Sequence, residues 1–324
     1  MPTTAKPRVW LTRKLSDNSE QRALRDYDVV LNPEDRLSSA DDIIAMSREV
    51  DAIIPCHSEI FSAEVVAALD DRLKIVANHS VGVDHVDLEA AKQKGVIVTN
   101  TPDVLSDATA EIAILLMLGA ARRAGEGEHL VRSQEWRDWS PAFMVGRQIT
   151  GKRLGILGMG RVGQVVAKRA RGFDMQLHYH NRNPLDENSA EGAIYHATVE
   201  EMLAEIDVLS IHCPASEHTK GLINRERIAL MHSDAILVNT SRGAVVDDEA
   251  LVAALKNGVI AAAGLDVYNG EPDNLHPEYR NLKNTFLLPH IGSATKETRD
   301  AMGFRAIANL TAIFAGKEPG DRVA

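Results

Sequence analysis

Residues 152–170 read KRLGILGMGRVGQVVAKRA, and this stretch decides the fold. Lys152 to Leu157 is a short apolar run suited to a buried strand, and Val162, Val165, Val166 and Arg169 follow at helical spacing. Gly158, Gly160 and Gly163 lie in the pattern of a phosphate-binding turn. The first glycine permits the tight turn, the second lets the backbone approach a pyrophosphate, and the third lets helix and strand pack closely. A bound anion then meets the free N–H groups at the positive end of the helix. Glycines also close ordinary strand-to-helix loops, but here the strand before and the helix after are both present, which is the context the motif requires. Such a turn normally opens a nucleotide domain, so its central position implies a domain before it.

The next strand decides the flavour of the cofactor. Met175 to Tyr179 reads as that strand, ending in His180, Asn181, Arg182 and Asn183. An NAD site usually places Asp or Glu at this strand end to hold the ribose 2′-OH, and none is present. Asn181 leaves the position uncharged, and Arg182 can stack on the adenine and pair with a 2′-phosphate. The pattern favours NADP over NAD, with a solvated loop arginine as the plainer alternative.

Working outward, regular alternation appears on both sides of the turn. Arg8 to Thr12, Asp28 to Asn32, Ala52 to Pro55, Leu73 to Ala77 and Val96 to Thr99 read as strands, with helical stretches between them at Asp41 to Arg48, Ala63 to Leu69 and Leu88 to Lys94. That alternation predicts a parallel sheet covered by helices, a small α/β domain complete before the glycines. From Leu154 a second alternation has about six strands, as two mononucleotide halves demand. The helix Asp107 to Arg122 is apolar on nearly every side, so it must be buried all round, either by its own domain or by the favoured cover, a second subunit. A last helical stretch, Lys296 to Phe314, has no place in a completed six-strand unit and is expected to return to the first domain. The chain would then cross twice, near Asn100 and Pro289. The resulting division is 1–99 plus 290–324 for a substrate domain and 100–289 for the cofactor domain, with the reaction site in the cleft between them.

Composition narrows the function classes. A chain of 324 residues with 44% hydrophobic content is long enough for two cores. With 36 basic and 46 acidic residues the net charge is −10 and no basic block occurs, so nucleic acid is not an expected partner. The longest apolar run, Ile112 to Ala121, is about half of a membrane span, and the amino terminus lacks the apolar region of a signal peptide. Cys56 and Cys213 suggest neither a disulfide framework nor a metal site. The expectation is a cytoplasmic protein that contacts no membrane.

Three later segments carry chemistry. NTSRGAVVDDEAL (239–251) puts Arg242 just after a strand end, GLDVYNGEP (264–272) puts Asp266 at another with Glu271 beyond it, and FLLPHIGSAT (286–295) puts His290 after Pro289. Ligands of open parallel sheets bind beyond the carboxyl ends of strands, where all three segments lie. Reducing a 2-oxo acid needs a rigid fork for carboxylate and carbonyl, which the guanidinium of Arg242 supplies. The developing alkoxide needs a proton as hydride arrives, and His290 suits that role because histidine titrates near neutral pH. A carboxylate paired with the imidazole favours its charged form and fixes its orientation, a role for Glu271. Each residue alone is also compatible with an ordinary loop or surface position. Their shared placement at strand ends is what favours a site.

GMGRVG, NTSRG, GLDVY, EP and PHIGSAT, in this order, resemble the D-isomer-specific 2-hydroxyacid dehydrogenases, over nearly the whole chain. The resemblance is closest to the glyoxylate/hydroxypyruvate reductase branch, through SVGVDHVDLEAAKQKGV (80–96), NTPDVLSDATAE (100–111), WRDWSP (136–141) and the NADP-type strand end. It implies two doubly wound parallel-sheet α/β domains, a Rossmann cofactor domain inserted into a discontinuous flavodoxin-like substrate domain. It also implies a homodimer held largely by the cofactor domains, and NADPH-dependent reduction of glyoxylate or hydroxypyruvate to the D-2-hydroxy acid, with NAD possible. Carried over, the family's catalytic residues fall on Arg242, Glu271 and His290. Its carboxylate-holding loop falls on Ser80, Val81 and Gly82. The cofactor residues fall on Gly160, Arg161 and Val162 at the pyrophosphate, Asn181 and Arg182 at the ribose phosphate, Pro214 and Thr219 along the adenosine, and Thr240, Asp266 and Gly292 near the nicotinamide. Trp139 resembles a residue that in some relatives reaches the partner subunit's site, with Trp136 as a competitor and a core tryptophan as the bland alternative. His57 and Ser58 fall in a loop that varies between branches, which leaves a C2 or a C3 acid open. The chain ends without the regulatory module of many phosphoglycerate dehydrogenases, an alternative within the family. An NAD(H)-sensing corepressor is the alternative of another class.

Overall fold

The structure is a computed structural model that describes residues 5–324. Two compact units form, one from the chain up to Leu105 together with Ser293–Ala324, the other from Ser106–Gly292. These divisions fall a few residues beyond 99/100 and 289/290, so His290 belongs with the second unit.

The first unit holds β1 (Arg8–Leu11), β2 (Asp28–Val30), β3 (Ala52–Ile54), β4 (Ile75–Ala77) and β5 (Ile97–Thr99). All pair in parallel, in the order β2-β1-β3-β4-β5, which is the flavodoxin-like doubly wound arrangement. β3 and β4 are buried at every residue, as continuous apolar runs in a sheet covered on both faces must be. Helix Lys296–Phe314 belongs to this unit: Ala306, Ile307 and Leu310 join the core beside Val9, Leu11 and Ile54. Gly303 lets this helix press on Asp17–Asp26, because a Cβ there would sit 2.0 Å from Ser19 Oγ.

The second unit holds β6 (Arg153–Leu157), β7 (Gln176–His180), β8 (Ile194–Tyr195), β9 (Val208–Ile211), β10 (Ile236–Asn239), β11 (Ala262–Leu265) and β12 (Thr285–Leu287). The order is β12-β11-β10-β9-β6-β7-β8, all parallel, a Rossmann sheet with its switch point between β6 and β9. It has seven strands where the sequence predicts about six. The extra one, β8, is only two residues long, too short for any periodicity to register.

The apolar helix forms as Ser106–Ala121, and its cover differs from the expected second subunit. Its own sheet buries Ala110, Ala113, Leu116 and Met117 completely. Two glycines make the contact close: a Cβ on Gly264 would lie 2.7 Å from the Leu116 carbonyl oxygen, and one on Gly119 would lie 2.2 Å from the Phe286 ring. Only Asp107, Glu111 and Leu115 stay exposed. Among the described residues no helix is long and apolar enough to cross a membrane.

Candidate active site

One row of paired residues crosses the second sheet at its carboxyl edge. His180 pairs with Leu157, Leu157 with Ile211, Ile211 with Asn239, Asn239 with Leu265 and Leu265 with Leu287. Nearly every cofactor and catalytic residue expected from the sequence leaves the sheet just beyond this row. The shared register brings Arg182, Gly158, Thr240, Arg242, Asp266 and His290, far apart in sequence, to one edge.

At the switch point the glycine turn has the geometry its residues demand. Gly158 has φ +91°, and a Cβ there would meet the Cys213 backbone nitrogen at 2.5 Å. A Cβ on Gly163 would lie 2.6 Å from the Gly158 carbonyl oxygen, so helix Arg161–Ala170 could not seat against β6. Gly160 differs, since a Cβ on it would meet nothing within 4 Å. It is exposed beside the helix N-terminus, where Arg161 and Val162 present their backbone, and the space is of the kind a pyrophosphate requires. The residues therefore fit a dinucleotide.

Asn181 has a job the sequence did not reveal. Its Oδ1 accepts the Met159 N–H at 2.7 Å, tying the end of β7 to the glycine turn. Arg182 beside it is exposed, and among the described residues no carboxylate pairs with it. Thr219 likewise uses its hydroxyl locally, donating to the Pro214 carbonyl at 2.7 Å and closing the turn after β9.

The catalytic candidates sit beyond β10, β11 and β12. Arg242 is part-buried, its carbonyl accepting from Asn239 Nδ2 at 2.9 Å and its Nη1 donating to the Ser241 carbonyl at 2.9 Å. Gly243 follows because a Cβ there would lie 2.0 Å from the Tyr268 carbonyl carbon. Tyr268 bridges the next two loops: its N–H donates to Glu271 Oε2 at 2.9 Å, and its phenol reaches the Leu265 and Leu288 carbonyls at 3.0 and 2.9 Å. The other carboxylate oxygen of Glu271 is bonded to His290 Nδ1. This contact at Nδ1 fixes the orientation of the His290 ring. His290 itself has φ +55°, a left-handed conformation costly for a residue with a Cβ. Asp266 secures it, with Oδ1 accepting from Ile291 N and Oδ2 from Gly292 N, both at 2.8 Å. Burial raises the Asp266 pKa while these two amide bonds oppose the rise. Asp266 thus acts on the loop that carries His290, and Gly292 is small because a Cβ would come 3.1 Å from Asp266 Oδ2.

Ser80, Val81 and Gly82 lie in the first unit, beyond β4. Ser80 Oγ donates to the Gly82 carbonyl at 2.7 Å and Asn100 Nδ2 to the Val81 carbonyl at 2.9 Å. Both carbonyls are thus fixed, and among the described residues nothing accepts from the N–H of Val81 or Gly82. Trp136 and Trp139 are 54% and 69% exposed, so neither is a core tryptophan. Sequence reasoning missed His212 and Asn239, which hold the loops beyond β9 and β10; one polar residue at a strand end carries no signal until its neighbours are known.

A family model for the D-isomer specific 2-hydroxyacid dehydrogenase, NAD binding domain, matches residues 114–292. The chain belongs to the D-isomer-specific 2-hydroxyacid dehydrogenase family. It is 43% identical to the glyoxylate reductase of Thermococcus kodakarensis, over 97% of this chain and 95% of that one. Among solved structures it is similar to a glyoxylate reductase from Paecilomyes thermophila, with TM-score 0.88, 34% identity and 100% and 99% of the two chains covered. It is also similar to an NADPH-dependent glyoxylate/hydroxypyruvate reductase of Sinorhizobium meliloti in complex with NADP and malonate, with TM-score 0.87, 33% identity and 99% and 97% covered.

Proposed function

We propose that this chain reduces glyoxylate or hydroxypyruvate to the corresponding D-2-hydroxy acid, with NADPH preferred over NADH. The observation that carries the reading is the His290–Glu271 pair on the same sheet edge as Arg242 and the glycine turn. When bound, the reduced nicotinamide supplies hydride to the substrate carbonyl. Gly158, Gly160, Arg161, Val162 and Gly163 would hold the pyrophosphate, and Arg182 the 2′-phosphate. Arg242 would engage carboxylate and carbonyl with its planar fork, polarising the carbonyl. Val81 and Gly82 would donate their N–H groups to the carboxylate. His290 gives a proton to the developing alkoxide from Nε2, while Glu271 at Nδ1 holds the ring and stabilises its charge.

The preference for NADPH rests on the absence of Asp or Glu at the end of β7 and on the unpaired Arg182. A homodimer fits the same reading. Val131, Trp136, Trp139 and Val145 are 54–69% exposed within one short stretch of the second unit, apolar surface of the kind a second copy would cover. Light scattering of wild type and Trp139→Glu would test it, and a monomeric wild type would refute it.

The deciding experiment is a panel of glyoxylate, hydroxypyruvate, pyruvate and phosphohydroxypyruvate, each with NADPH and NADH. The reading requires one of the first two with NADPH to give the highest kcat/KM. A higher value with phosphohydroxypyruvate, or with NADH, would overturn the substrate or the cofactor half of it.

A further inference from the structure

His212, just beyond β9, stands between two hydroxyl groups. Its Nε2 lies 2.8 Å from Ser210 Oγ and its Nδ1 lies 3.1 Å from Thr240 Oγ1. Ser210 is fully buried, and Thr240 is the first residue beyond β10, at the sheet edge. Close packing around the ring pushes the His212 pKa down to about 4, which keeps it neutral at ordinary working pH. A neutral imidazole has one donor nitrogen and one acceptor nitrogen. One hydroxyl therefore donates a hydrogen bond to the ring and the other accepts one from it, which ties both oxygens to the imidazole. The same strand ends are joined again next door, where Ser241 Oγ donates to the Cys213 carbonyl and Asn239 Oδ1 accepts from Ser241 N at 3.0 Å.

A histidine can be satisfied wholly inside a sheet, by backbone groups or by buried side chains. This one spends its outer nitrogen on a hydroxyl at the working edge of the sheet. In a doubly wound sheet the two halves of a dinucleotide lie on opposite sides of the switch point. The end of β7 takes the adenosine half, as the 2′-position chemistry there requires, and the turn after β9 runs along it, so the end of β10, one strand further across the sheet, faces the nicotinamide half.

We infer that His212 is a positioning residue that holds the Thr240 hydroxyl against the nicotinamide half of the cofactor, and so fixes the approach of the hydride to the substrate carbonyl. This rests on the reading of the chain as a nicotinamide-dependent reductase and adds to it a residue that touches neither substrate nor proton. Small displacements are costly in such a step: about 1 Å of misplacement loses about 100-fold in rate.

The test uses the full chain with NADPH and glyoxylate. His212→Phe lowers kcat by about 10- to 100-fold while the NADPH Kd, read by fluorescence, changes by less than about 3-fold, because remote groups carry most of the binding. Thr240→Val gives the same pattern, and the double variant is no worse than the more severe single one, since the two residues act as a unit. His212→Gln, whose amide still reaches a hydroxyl, recovers part of the loss. With NADPH deuterated at the transferred position, the isotope effect on kcat rises in His212→Phe as hydride transfer comes to limit the rate. Joint loss of NADPH binding and thermal stability with an unchanged isotope effect, or losses that add in the double variant, would overturn the inference. If the wild type binds NADPH but reduces none of the four acids, the functional reading fails, and His212 is then judged on nicotinamide emission. A spectrum shifted between wild type and His212→Phe supports the positioning role, and an identical one refutes it.

Discussion

The carboxyl edges of the two sheets end in opposite chemistry. Beyond β11 and β12 the groups are ionisable and paired across loops: Glu271 with His290, and Asp266 with two successive amides. Beyond β4 the groups are buried amides and imidazoles held by hydrogen bonds. Asn78 Nδ2 donates to the Thr99 carbonyl at 3.0 Å, His85 Nε2 lies 2.8 Å from Asn78 Oδ1, and His79 Nε2 lies 3.3 Å from the Arg299 carbonyl. Burial, helped by the Arg299 charge, pushes the His79 pKa down to about 4. Histidine is thus used in two ways. In the second unit a carboxylate holds the ring of His290 at the sheet edge; in the first, burial keeps His79 neutral within a hydrogen-bonded scaffold. One edge carries ionisable groups paired across loops, and the other carries hydrogen bonds that fix its backbone carbonyls.

The comparison breaks most readily at His290. His290→Ala should lower kcat by about 10²–10⁴, the usual yield of general acid catalysis, while NADPH still binds. Equal loss of cofactor affinity in a binding titration would make His290 structural, like His79, and erase the contrast.

Arg182→Ala comes next. A charge-assisted contact to a phosphate is worth about 1.5–3 kcal/mol, or about 10- to 150-fold. The KM for NADPH should rise by that factor and the KM for NADH should not, and parallel changes would refute the 2′-phosphate role.

Glu271→Gln should lower kcat by about 10- to 100-fold, the cost typical of losing the group that orients a working histidine. The amide can still accept the Tyr268 N–H, so stability should hold. An unaltered kcat would mean that His290 needs no partner.

The smallest effect belongs to the first unit and appears as stability. The folded pKa of His79 lies below its unfolded value, so the unfolded chain binds more protons between about pH 6.5 and about pH 4. The contribution is full above that window and is lost as pH falls through it, about 2 kcal/mol between pH 7 and pH 5. Urea midpoints at the two pH values should show a drop in wild type that is reduced in His79→Gln, and equal drops would refute the assignment.

Much of this was legible in the chain. The helix Leu88–Lys94 and the helix Lys296–Phe314 form at the residues their patterns predict, because apolar period and caps are local properties. The placement of Arg242, Glu271 and His290 beyond strand ends was legible because each follows a readable strand. β8 was not, being two residues long, nor was the cover of helix Ser106–Ala121, since an apolar surface does not say what lies against it.

By itself the sequence determined the two alternating α/β patterns, the glycine turn and the types of residue at the strand ends, all of which follow from spacing and steric permission along the chain. Only the tertiary structure decided who partners whom. Asn181 turned out to hold Met159, Asp266 the amides beyond His290, and His212 a hydroxyl on each side. The physical reason is the register of the parallel sheet: it sets His180, Leu157, Ile211, Asn239, Leu265 and Leu287 in one row, and hydrogen bonds of about 3 Å form only between groups that a row brings level.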